Sequence, residues 1–137
     1  MRIALLTLLL MLTPVRAPAQ NKLPACDGDY VVVRVSQIKP GGSMRGFLDA
    51  VAAHVAWYRS HGFKDNRIVA ARIIGRDPGT GELKYSEKQV MTYHFNPPGM
   101  GDPAGRGDAA WNAYVKLYRD NSDMLSETVT CMPRAGQ

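Results

Sequence analysis

The sequence predicts a small α+β domain with its elements in the order β-α-β-β-α-β. Two segments repeat apolar residues at helical three- and four-residue steps, four are rich in β-branched and aromatic residues, and Gly/Pro clusters separate them. Tyr30 to Ser36 (YVVVRVS), between Asp27-Gly28-Asp29 and Pro40-Gly41-Gly42, reads as the first strand. Ser43 is placed to cap a helix in which Met44, Phe47, Leu48, Val51, Val55 and Tyr58 form the apolar stripe, and Gly62 is placed to end it. Arg67 to Arg76 and Lys84 to Phe95 flank Asp77-Pro78-Gly79-Thr80-Gly81-Glu82, whose Pro and two Gly supply turn geometry, so the unit reads as a hairpin. Residues 96–107 carry three Pro and four Gly and exclude a regular element. Asp108 caps a second helix striped by Trp111, Tyr114, Val115 and Tyr118, and Ser126 to Met132 alternates as the closing strand.

This order is the ferredoxin-like, split βαβ pattern: a four-stranded antiparallel sheet with both helices on one face. Its first and last strands lie side by side and antiparallel, so the start of one sits beside the end of the other. Cys26 and Cys131 fall at those two ends, and a disulfide between them is predicted.

The first 19 residues read as an export signal. Arg2 gives a positive start, Ile3 to Thr13 is almost unbroken apolar sequence, and Ala17-Pro18-Ala19 supplies small residues for cleavage before Gln20. Nothing after that point has the roughly 20 apolar residues of a membrane span. The predicted organisation is a signal peptide over 1–19, an N-terminal segment over 20–28, one domain over 29–132 and a tail over 133–137, exported to the periplasm or beyond. The 17 Lys and Arg fall to 15 when Arg2 and Arg16 leave, against 12 Asp and Glu, a net charge of +3. The cations are scattered singly, which disfavours nucleic acid as a partner. The three His have no carboxylates at metal-site spacing, so no metal is expected.

Alternation sorts the strand residues into two sets. Val31, Val33, Val35, Val69, Ala71, Ile73, Met91, Tyr93, Phe95 and Val129 are apolar and are expected beneath the helices. The second set, including Tyr30, Val32, Arg34, Ile68, Ala70, Arg72, Ile74, Val90, Thr92, His94, Thr128 and Thr130, mixes apolar and polar side chains and is expected to meet a partner, most economically a second copy related by a two-fold axis.

The element order, the mixed face and the aromatic-bearing helices (HVAWYRSHGF at 54–63, AWNAYVKLY at 110–118) resemble the dimeric α+β barrel superfamily, in which two such sheets close face to face. The resemblance implies a homodimer through the sheet. It also implies a function among cofactor-independent monooxygenases, haem-degrading or haem-binding enzymes, isomerases and proteins without assigned activity, and it carries no catalytic residue onto this chain.

Two candidate ligand sites follow from the residues. One is a pocket between the first helix and the sheet, edged by His54, Trp57 and His61, with Met91 and Tyr93 offered by the sheet and Trp57 or Met91 stacking on a flat apolar ligand. Boundary positions with polar tips in water would explain His54 and Trp57 equally. The other is an anion site on the second face, where Arg34, Arg72 and His94 converge if that face is a cavity; Arg side chains at the sheet edge paired with carboxylates would explain the same pattern. The leading function is an exported protein that binds a small, partly aromatic ligand or serves the cell envelope. The alternatives are a monooxygenase or haem-handling enzyme and a protein-binding accessory module. No cofactor is required by the sequence, haem being the one the resemblance raises.

Overall fold

The computed structural model describes residues 23–98 and 107–134. The predicted signal segment and cleavage site, and residues 99–106 of the Pro/Gly-rich stretch, lie outside the described residues. Six elements follow in the predicted order: β1 (Asp29–Ile38), α1 (Met44–Ser60), β2 (Arg67–Arg76), β3 (Leu83–Phe95), α2 (Ala109–Asn121) and β4 (Ser122–Met132).

The local signals act where the sequence puts them. The Ser43 hydroxyl accepts from the Gly46 N–H at 2.9 Å, satisfying one of the orphan donors of the first turn of α1. At the other end Gly62 takes a φ of 90°, the left-handed conformation that reverses the chain without a Cβ clash. In the hairpin turn Asp77 accepts from the N–H groups of Gly79 and Thr80, and Gly81 supplies a φ of 77°. β4 begins at Ser122, directly from α2, four residues before its predicted start. Its β1 partners run from Val35↔Ser126 to Ser36↔Met124, so Leu125 is an extra residue that breaks the alternation by which the strand would be recognised.

The strands form one antiparallel sheet in the order β2-β3-β1-β4, an order that matches the ferredoxin-like layout broadly. β1 and β4 are neighbours as expected, and a disulfide joins Cys26 to Cys131 with Cα atoms 5.7 Å apart. Among the described residues no helix is long and apolar enough to cross a membrane.

The two sheet faces are the reverse of the expectation for β1, β2 and β3. Phe47 and Val51 of α1 pack on Val90, Ile68 and Ala70, so the mixed set lies beneath the helices. Val33, Val35, Val69, Met91, Tyr93 and Phe95 lie on the opposite face. In β4, Val129 sits opposite Val32 on the helix side, and Thr128 and Thr130 sit opposite Val33 and Val31 on the outer side. The exchange has a physical reason. The helices present His54, Tyr58, Tyr114 and Tyr118, and His54 and Tyr58 meet the His94 ring of the mixed face edge-on at 5.5 and 5.2 Å.

Candidate functional site: a cavity between the helices and the sheet

The cavity arises from how the two helices divide the sheet. α1 packs closely on β2 and β3 through Phe47 and Val51. α2 packs chiefly on α1, ring against ring: Trp111 and Tyr114 join the buried cluster of Trp57 and Tyr58, and Tyr118 meets Phe47 edge-on at 5.4 Å. The parts of β1 and β4 beneath α2 are therefore left without close cover. A cavity of about 700 Å³ remains there, within the range that holds small ligands.

Its deep wall is aromatic. The His54 ring stacks on Tyr114 at 4.4 Å and 13°, and meets His94 edge-on at 5.5 Å. Tyr58 approaches His94 at 5.2 Å, and His54 Nδ1 lies 3.4 Å from the Tyr118 hydroxyl. Asn66, from the turn before β2, places its amide Nδ2 2.8 Å from His94 Nε2. Donation by that amide leaves the His94 proton on Nδ1.

The wall is also uncharged. Burial, followed by the charges of His94 and Arg34, lowers the His54 pKa to about 3. Burial and then Arg34 lower that of His94 to about 4. Burial raises the Tyr118 phenol, against a smaller opposing pull from Arg34. All three groups are neutral at neutral pH.

The rim is charged. Arg34 Nε lies 2.6 Å from Glu127 Oε2, across the β1–β4 register pair that sets these two residues opposite one another. Arg119, in the last turn of α2, lines the same cavity, as do Ser122 and Met124 at the start of β4.

Residues drawn from both predicted sites come together in this cavity. His54, from the helix-edge pocket, and Arg34 and His94, from the anion site, line a single cavity. The remaining candidates lie elsewhere. Trp57 is 2% exposed and donates its indole N–H to the Asp108 carboxylate, at 3.1 and 3.2 Å; the boundary position offered for it is thus replaced by a buried one. His61 stacks on Trp57 at 4.3 Å, and its Nε2 lies 3.0 Å from the same carboxylate. Asp108 also accepts from the Trp111 N–H at 2.6 Å; this bond first, then those from Trp57 and His61, hold its carboxyl below the usual range. Trp57, His61 and Asp108 thus form a clasp between the end of α1 and the start of α2, outside the cavity lining. Met91 and Tyr93 lie on the outer face. Arg72 is drawn off toward the sheet edge, where it bonds Glu87 at 2.5 Å and covers the Tyr85 ring.

Sequence reasoning did not single out Glu127, Arg119, Tyr114 or Tyr118 as site residues. The two tyrosines were visible as part of the α2 stripe, but Glu127 becomes visible only once the register of β4 against Arg34 is known. Among the described residues, no group of three or more His, Cys, Asp or Glu is arranged to hold a metal ion.

No family model matches the chain, and no curated protein matches it. Among solved structures, a phage SAM lyase in complex with S-methyl-5'-thioadenosine is similar over 82% of this chain and 97% of that chain, at 13% sequence identity and a TM-score of 0.26. A likeness at that score carries no argument about fold or ligand.

Proposed function

We propose that this protein binds a small, partly aromatic ligand in the cavity beneath α2, and that it does so as an exported dimer of the dimeric α+β barrel type. The observation that carries the binding role is the wall itself, in which a stacked His54–Tyr114 pair, His94, Tyr58 and Tyr118 surround one space large enough for a ligand. Aromatic ligands are held by such walls through stacking and edge contacts worth about 0.5–1.5 kcal/mol per pair beyond buried area. Export is supported by the apolar N-terminal segment and by the disulfide, which persists in oxidising compartments.

Binding is favoured over acid–base catalysis by the state of the imidazoles. A general base works best with a pKa near the operating pH, and burial depresses those of His54 and His94 to about 3 and 4. Such groups stack and hydrogen-bond but abstract protons poorly. His94 also commits Nε2 to Asn66, so that nitrogen does not fit a haem iron unless the bond is broken.

A thermal-shift screen of flat aromatic compounds tests the proposal. At least one class should stabilise the wild type in proportion to its concentration. His54→Ala should weaken that ligand by about 1–3 kcal/mol through lost stacking and hydrogen bonding, whereas Arg72→Ala should leave it unchanged. Failure of every class to stabilise the protein would favour the protein-binding or envelope role instead.

A further inference from the structure

We propose that the ligand of this cavity is an aromatic monocarboxylate, its ring against the His54–Tyr114 stack and its carboxylate on the Arg34 guanidinium at the rim. The inference rests on the ligand-binding role above and adds the charge and polarity of what is bound. Three observations carry it.

The first is a charge count. Arg34 and Arg119 line the cavity against one carboxylate, Glu127, and the two histidines add nothing because burial keeps them neutral. The surplus is one positive charge, which suits a monoanion better than a phosphomonoester dianion and disfavours a cation. The second is how Arg34 is held. Among the described residues Arg34 donates from Nε to Glu127, so the guanidinium is oriented by one edge while its terminal nitrogens are the remaining donors. A guanidinium presents its donors as a planar fork that fits a carboxylate bidentately. The third is that the charge of Arg34 acts inside the cavity despite its partner. It disfavours the protonated forms of both His54 and His94 and favours the ionised form of Tyr118. A positive potential over an aromatic, poorly solvated wall is what an aromatic anion requires.

The test is isothermal calorimetry on the mature, disulfide-bonded protein with naphthoate and with its uncharged counterpart naphthamide, two probes of nearly equal shape. Naphthoate should bind about 10- to 100-fold more tightly, the range of a charge-assisted hydrogen-bond pair. Arg34→Gln should bring naphthoate down to the affinity of naphthamide. Glu127→Gln, which removes the competing carboxylate, should tighten naphthoate several-fold and leave naphthamide unchanged. This second variant keeps the test decisive if Arg34→Gln does not fold. Equal affinity for the two probes, or tighter binding of the amide, would overturn the carboxylate inference while the aromatic-ligand role stands. Binding of neither probe, by heat at two temperatures and by thermal shift, would overturn the carboxylate inference, and the aromatic-ligand role then stands or falls on the full screen above.

Discussion

His54 and His94 sit beneath α2 as neutral imidazoles, and that has a consequence for stability. Their folded-state pKa values, about 3 and 4, lie below the ordinary 6.5. As pH falls below about 6.5 the unfolded chain takes up two protons that the folded protein refuses until about pH 4. Stability should therefore be level above pH 6.5 with respect to these groups and decline toward pH 4, at up to about 1.4 kcal/mol per pH unit for each histidine. Urea unfolding at pH 7, 6 and 5 measures this decline. His54→Phe keeps a ring against Tyr114 and should make it shallower; an unchanged slope would mean that His54 is not buried as described. At this scale the sequence showed which residues bear chemistry but not which of them meet. Arg34, His54 and His94 were legible as candidates. The Asn66–His94 and Arg34–Glu127 contacts were not, because each depends on a turn or a register that local pattern does not specify.

Asp108 does two jobs for the elements around it, capping α2 through the Trp111 N–H and accepting from Trp57 and His61 at the end of α1. Asp108→Ala should cost about 2 kcal/mol or more, since it removes a helix cap and leaves a buried indole N–H unpaired. Asp108→Asn retains a capping oxygen and should cost less, and equilibrium unfolding in urea compares the two. Equal stability of wild type and Asp108→Ala would remove the clasp from the account. The elements were largely legible: β2 has its predicted bounds, and Ser43 and Asp108 cap the helices they were expected to cap. The start of β4 was hidden because Leu125 bulges out of the alternation and no loop separates the strand from α2. The sheet faces were not legible, because apolar content alone does not mark the buried side: Phe47 and Val51 pack on Val90, Ile68 and Ala70 of the mixed set. The helices carry rings that meet the mixed face, His54 and Tyr58 both packing edge-on against His94.

At the scale of the whole molecule, the exchange of faces moves the proposed dimer contact to the outer surface, where Val33, Met91 and Tyr93 lie with no helix over them and Val69 is 42% exposed. An open apolar face of this kind is a site for association, and pairing with a second copy closes both faces at once. Light scattering of the wild type should give a dimer mass at micromolar concentration. Val33→Glu should yield a folded monomer, because in the single chain its carboxylate faces water. Val32→Glu should unfold the protein, because Val32 is 4% exposed and lies on the helix side. A wild-type monomer would rule out the dimer without touching the cavity. The central claim, that the space beneath α2 is the ligand site, is tested most directly by NMR of the protein labelled at histidine. Its three histidines are placed as reporters: His54 and His94 line the cavity, and His61 belongs to the clasp outside it. Titration with naphthoate should move the His54 and His94 ring signals saturably, with one dissociation constant, and leave His61 in place. Binding that shifts His61 alone, or that leaves all three unmoved, would contradict the claim.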